Sequence, residues 1–433
     1  MTYAQAVQFL YDLRLFGAKF GLENTFKLAA LAGHPQNQLR FIHVAGTNGK
    51  GSTCAMLESI YRAAGLRTGL FTSPHLVSFR ERIQVNRQLI SENEVVRLVE
   101  EIQPLLKQFP ADHHPTFFEV VTVMALKFFA EQKSDLVIWE TGLGGRLDAT
   151  NVVTPLASVI TNIAFEHQQW LGDTLEKIAA EKAGIIKPGV PVITAADEPE
   201  ALKVIEEVAR KQNAPLTMVN GRDVALRRPD SAARCPYLPL LGEHQKINAM
   251  LALAAVEVLQ NKIPVSHEAI RTGLSKVNWP GRLQLVTRPL GQKLLLDGAH
   301  NVAGAKVLRA ALEEHFKLAK HTLILGMLQD KDWRHICETL APLAVRILTV
   351  PVSSERSADA RELAAACRAV NPTAGIAACG SLREALEKAA GDDFVVITGS
   401  LYLVGEALEL AGLSPANGGE RALNEWTTKV SMR

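Results

Sequence analysis

HVAGTNGKGST, residues 43–53, decides how the rest of the chain is read. An apolar, β-branched run leads into it (FIHVAG, 41–46) and a helical pattern leaves it (STCAMLESIYRAAG, 52–65). Gly46, Gly49 and Gly51 therefore fall in a strand-to-helix turn. There, flexible backbone can turn its N–H groups, and a helix its positive end, toward a phosphate. Lys50 adds a point charge. The spelling departs from the common G-x-x-x-x-G-K-[ST] loop. Val44 stands where the first glycine would be, and Gly51 stands where Ser or Thr would follow the lysine. Taken alone, the stretch reads equally well as a glycine-rich turn with a surface lysine.

The flanking text places this turn in an α/β fold. DLVIWET (135–141), ASVITNI (157–163) and VPVITA (190–195) are apolar enough to be strands buried on both faces, as in a parallel sheet. DTLEKIAAEKAGII (173–186) reads as a helix with Asp173 and Glu176 spaced as a capping box. Residues 214–243 are rich in Pro and Arg and predict a small β excursion with a loop near 227–236, before a long helix over 244–260. A second strand series follows: 293–299, 322–327, 345–352, 375–380 and 394–400, with helical segments between. Such alternation predicts parallel sheets covered by helices. PGRLQLVTRPLGQ (280–292) has Pro, Gly and no clear period, and marks the junction. The expectation is a domain over 1–285 carrying the phosphate loop and a smaller Rossmann-like domain over 286–433.

Bulk properties agree. The 433 residues exceed the ~250–300 at which single cores stop growing. A net charge of +2 gives no argument for nucleic acid or a membrane surface, so an anionic substrate must be met by local positive groups. The five cysteines, Cys54, Cys235, Cys337, Cys367 and Cys379, show no C-x-x-C spacing and suit reduced thiols in a cytoplasm. The amino-terminal stretch has no signal-peptide pattern. No apolar run approaches the ~20 residues needed to span a bilayer.

The loop resembles the nucleotide loop of the folylpolyglutamate synthase/dihydrofolate synthase family, relatives of the Mur ligases, in which the same departures from the common spelling occur. Further stretches match that family in order: FTSPHL (71–76), PTFFEVVT (115–122), WETGLGGRLDATN (139–151), EHQQWLG (166–172), AEKAGI (180–185), GEHQKINA (242–249), WPGRLQ (279–284), LLLDGAHN (294–301) and ITGSLYLVG (397–405). The resemblance implies ATP-dependent, ADP-forming ligation of L-glutamate to dihydropteroate or to reduced folates through an acyl phosphate. It implies that Asn48, Gly49, Lys50, Gly51, Ser52, Asn248, Arg282 and Asp297 meet ATP. Ser73, Glu140 and His167 would hold Mg²⁺, with one or two ions present, and Lys182 would be carboxylated by CO₂. Thr116, Phe118, Leu147, Asp148 and Ala149 would meet the pterin, with Arg80 and Arg82 on anionic glutamyl groups and Ser400 near the incoming amino acid. Asp297 and His300 are candidates for the general base. Glu166 stands where the family usually shows Asp. The family habit is a monomer.

Two other readings stay open at this level. A Mur-type peptide ligase would carry a separate amino-terminal domain for a UDP-sugar, and fewer than fifty residues precede Lys50. A phosphate-loop ATPase serving as a switch or transporter would not need EKAGI or DGAHN.

Overall fold

The computed structural model describes residues 1–17, 21–219, 238–289, 291–316, 320–414 and 420–421. Most of the expected β excursion, with its loop near 227–236 and Cys235, lies outside the described residues.

Two sheets organise the chain. The first contains β1 (Phe41–Ala45), β2 (Thr68–Phe71), β3 (Ile83–Val85), β4 (Gln88–Leu89), β5 (Leu136–Glu140), β6 (Ala157–Ile160), β7 (Val192–Thr194) and β8 (Leu216–Met218), in the order β4-β3-β2-β5-β1-β6-β7-β8. β1 and β5 are buried along their whole length, which is why their sequences are apolar without alternation. They run parallel, with Phe41 opposite Val137 and Val44 opposite Glu140; β6 lies on the other side of β1. The chain leaves β1 toward β2, returns through β5, and then crosses to β6. The connections diverge around β1, and that opens a crevice beyond its carboxyl end.

The second sheet contains β9 (Gln284–Thr287), β10 (Lys293–Leu296), β11 (Thr322–Leu325), β12 (Arg346–Thr349), β13 (Gly375–Ala378) and β14 (Phe394–Thr398), ordered β13-β12-β11-β14-β10-β9. Its carboxyl edge faces the crevice of the first.

Three sequence expectations are corrected. The sheets are mixed: β3 and β4 form an antiparallel hairpin on β2, and β9 is antiparallel to β10. The stretch expected to be a junction without structure holds β9, an edge strand with no fully buried residue, so it carries little apolar signal. The boundary placed at 285 therefore falls inside a strand of the second sheet. The helix Leu175–Ala183 is capped by Thr174, whose hydroxyl accepts from Lys177 N, while Asp173 pairs with Lys177 Nζ (2.7 Å) instead.

The helix Lys50–Ala63 packs closely on the helix His267–Ser275. Gly273 permits this: a Cβ there would lie 2.5 Å from Ile60 Cα. The phosphate-loop helix is thus clamped by a later segment of the chain.

Candidate active site

A cleft of about 520 Å³ lies between the carboxyl ends of the two sheets. Asn48, Gly49, Lys50, Gly51, Ser52, Ser73, Arg82, Thr116, Phe118, Glu140, Leu147, Asp148, Ala149, His167, Asn248, Arg282, Asp297, His300 and Ser400 all line it.

The loop after β1 depends on glycine at two points. Gly46 has φ 142° and a Cβ there would overlap Thr161 Oγ1 at 1.8 Å; Gly49 has φ 85° and a Cβ would meet Asn248 Oδ1 at 2.5 Å. Both conformations strongly favour glycine. Gly51 has another reason: a Cβ would sit 2.8 Å from Trp279 Cζ2, so an indole covers the position where the common loop has a hydroxyl residue. Thr161 Oγ1 donates to Asn48 O (2.7 Å), and Asn48 N donates to Asn162 Oδ1 (2.8 Å). Lys50 Nζ donates to Gly46 O and Thr47 O, both at 3.1 Å. Gln245 links the loop to Asn248: its Nε2 donates to Ser52 Oγ (3.3 Å) and its Oε1 accepts from Asn248 Nδ2 (3.0 Å).

Glu140 ends β5 and is buried, with Oε2 accepting from Ser73 N (3.1 Å). Burial pushes its carboxyl up to about 7, against the pull of the Lys50 charge and the Ser73 hydrogen bond. Ser73 Oγ is buried and without a hydrogen-bond partner. His167 lies beyond β6 in a left-handed conformation (φ 51°), and burial lowers its imidazole to about 3, so the ring is neutral. Among the described residues no group of three or more His, Cys, Asp or Glu is placed to hold a metal. Glu140, Ser73 and His167 bring one carboxylate, one hydroxyl and one neutral imidazole to the lining of the cleft. The unpartnered Ser73 hydroxyl beside Glu140 fits an oxygen-seeking cation that keeps waters or takes phosphate oxygens.

Lys182 is buried beneath the phosphate loop and does not line the cleft; its Nζ donates to Gly46 O (2.7 Å). Burial, then the Lys50 charge, lowers its amine to about 7. Arg80 is also absent from the lining: its Nε donates to Ile90 O (2.6 Å) and its head faces Glu92 (3.5 Å). Arg82 does reach the cleft, with Nε donating to His75 Nδ1 (2.8 Å).

Two residues at the pterin stretch have structural duties. Thr116 caps the helix Phe117–Glu131 in a capping box with Glu119. Asp148 accepts four hydrogen bonds, from Gly142 N, Leu143 N, Thr150 N and Thr150 Oγ1, and stiffens the loop after β5. Phe118 packs at 6.0 Å from Phe71; Phe117 belongs to the core cluster and also lines the cleft.

From the second sheet, Asp297 accepts from Leu283 N and Ala299 N, both at 2.9 Å. His300 Nδ1 faces Gly298 O (2.7 Å) and Nε2 faces Glu166 Oε1 (3.0 Å). Both partners are acceptors, so satisfying both requires hydrogen on each ring nitrogen. Lys331 Nζ also donates to Glu166 Oε1 (3.3 Å). Burial would raise the Glu166 carboxyl, but His300 and Lys331 hold it well below the usual range. Asn48 and Asn301 exchange amide hydrogen bonds (3.2 and 3.0 Å). Sequence reading missed Asn162, Gln245, Asn301 and Lys331, and read Glu166 only as a departure. Each acts through a partner distant in sequence, so local spacing carries no signal for it.

Residues 44–256 match the model of the Mur ligase middle domain, and residues 281–401 that of the Mur ligase glutamate ligase domain. The chain is 37% identical over 423 residues to the dihydrofolate synthase/folylpolyglutamate synthase of Bacillus subtilis, covering 94% of this chain and 98% of that one. It superposes on the folylpolyglutamate synthase of Thermotoga maritima with a TM-score of 0.82 at 34% identity, covering 97% and 98% of the two chains. The Escherichia coli FolC structure in complex with DHPP and ADP gives 0.83 at 32% identity, covering 95% and 97%.

Proposed function

The chain belongs to the Mur ligase family, among the dihydrofolate synthases/folylpolyglutamate synthases, and from that premise we propose that it joins L-glutamate to dihydropteroate and to reduced folates with conversion of ATP to ADP. The observation that carries this reading is the cleft itself. One wall holds the phosphate loop, Ser73 and Glu140; the other holds Arg282, Asp297, His300 and Ser400.

A carboxylate is a poor electrophile because its leaving group would be oxide. Transfer of the γ-phosphoryl group makes an acyl phosphate, and attack by the glutamate amine then expels phosphate and leaves an amide. Lys50 and Arg282, both lining the cleft, would spread the negative charge that develops during transfer. Arg82 suits a substrate carboxylate. Phe118 and Leu147 offer apolar area to a pterin ring, and Asn248 backs the nucleotide loop. The acyl phosphate must be kept from water. The contacts of Asn48 with Asn301, and of Glu166 with His300 and Lys331, hold the two walls together over that space.

Ser73, Glu140 and His167 would hold Mg²⁺, which would neutralise phosphate charge during transfer. Lys182 fits carboxylation: a neutral amine can attack CO₂, forming the N–C bond and releasing a proton, and the carbamate would lie next to Lys50. The engagements of Asp297 and His300 support positioning roles for both, in place of a general base. The part of the chain that builds the first sheet would bind ATP and pterin, and the part that builds the second, from β9 onward, would present glutamate.

No described helix is long and apolar enough to cross a membrane. Cys54, Cys337, Cys367 and Cys379 are buried free thiols, in keeping with a reducing cytoplasm, where the chain would work as a monomer on small molecules.

The test is ADP release by the purified chain with ATP, glutamate and either dihydropteroate or a reduced folate. Turnover is expected only when both glutamate and a pterin acid are present. Steady ATP hydrolysis without them would refute ligation.

A further inference from the structure

A second cavity, of about 310 Å³, lies away from the cleft, lined by Ala55, Glu58, Ser59, Arg62, Arg87, Lys276 and Asn278. Its walls come from the helix Lys50–Ala63, from the turn between β3 and β4, and from the segment after the helix His267–Ser275.

Two polar atoms there are buried and unpartnered: Glu58 Oε2 and Arg87 Nη1. The Glu58 side chain is fully buried, and its other oxygen accepts from both Arg62 Nε and Thr68 Oγ1, each at 2.8 Å. Arg87 Nη2 donates to Asn278 O (2.7 Å). Arg87 also occupies a left-handed position (φ 64°) in its turn, next to Asn86 (φ 50°). Leaving buried charged groups half satisfied is costly. The cavity therefore asks for an acceptor at Arg87 and a donor at Glu58. It also holds three basic side chains against one acid. A bridging water could satisfy the two atoms but leaves that charge imbalance in place.

We propose that this cavity binds hydrogen phosphate, an oxyanion that carries both acceptor oxygens and a hydrogen to donate. Phosphoryl oxygens accept from Arg87 Nη1 and from the Lys276 ammonium, and the P–OH donates to Glu58 Oε2. Sulfate is doubly charged at neutral pH and has no hydrogen to offer, so it would set an oxygen against the carboxylate. The site reaches the phosphate loop through one residue. The Arg87 guanidinium lies 5.3 Å from the Trp279 ring, and that ring covers Gly51. Occupancy would fix Arg87, and with it the indole behind the loop. The inference does not depend on the reaction assigned to the cleft.

Equilibrium dialysis with radiolabelled inorganic phosphate tests it, using the full chain saturated with a non-hydrolysable ATP analogue so that the phosphate loop is filled. One phosphate per chain is expected, undisturbed by excess sulfate. Lys276→Met, at an exposed position, and Arg87→Met should each weaken retention about tenfold or more, as loss of a hydrogen bond to a charged group would. Glu58→Gln should let sulfate compete. No retention at millimolar phosphate, wild-type retention in Lys276→Met, or equal competition by sulfate in the wild type would each overturn the proposal.

Discussion

Burial acts on Glu140 and Lys182 in opposite directions, and each consequence is measurable. The Glu140 carboxyl is raised from 4.5 to about 7. Between those values the folded chain holds more protons than the unfolded one, so this group's contribution to stability falls as pH rises through the window. Glu140→Gln removes that penalty. Denaturant unfolding should find the variant more stable than wild type by on the order of 2–3 kcal/mol at pH 8 and little changed at pH 4. Ligation should be lost throughout. Equal stability of the two proteins at pH 8 would rule out burial as the cause. For Lys182 the folded amine titrates near 7 rather than 10.5. The unfolded chain then holds more protons between about 7 and 10.5, and stability rises with pH across that range. The same neutral amine is what CO₂ requires. With ¹³C-bicarbonate and no nucleotide, a carbamate carbon resonance is expected for wild type near pH 8 and not for Lys182→Met. Its absence from wild type would end the carboxylation reading.

At the level of elements, PTFFEV illustrates how one stretch carries two messages. Its resemblance points to pterin contact, and its T-x-x-E spacing is also a capping box, the use observed at Thr116 and Glu119. The two uses are compatible, because a hydroxyl that accepts from Glu119 N still has a hydrogen to donate. Thr116→Ala should lower stability by about 1 kcal/mol, and Thr116→Ser should restore it. An unchanged unfolding midpoint in the alanine variant would show that the cap is idle. Strand identity along β1, β5, β6, β7, β10, β11, β12, β13 and β14 was legible as short apolar runs between helical patterns. β2, β3, β4 and β9 were not: β2 spans only four residues, and β3, β4 and β9 are short strands toward the sheet edges that answer to pairing partners rather than to their own pattern.

Across the whole molecule, Glu166 is the residue that only the assembled fold explains. Its carboxylate joins the first sheet's loop to His300 and Lys331 of the second. An aspartate is one methylene shorter and would carry its carboxylate less far toward both partners. Glu166→Ala should let the walls separate. Small-angle scattering with bound nucleotide should report a larger radius of gyration, and ATP hydrolysis should outrun amide formation as acyl phosphate meets water. Unchanged scattering together with unchanged coupling would remove Glu166 from closure.

The sequence alone determined the two α/β units, the phosphate turn after β1 and most of the side chains that gather around it. The first two are local matters, apolar runs and glycines where backbone bends; the side chains were named by the resemblance of whole motifs to a family. Only the tertiary structure decided that Arg80 faces the sheet edge, that Lys182 lies under the loop, that Asp148 serves its own backbone and that Glu166 spans the lobes. Each of those outcomes turns on which donor or acceptor from a distant segment arrives within hydrogen-bond reach. Three-dimensional packing sets that distance, and spacing along the chain does not encode it.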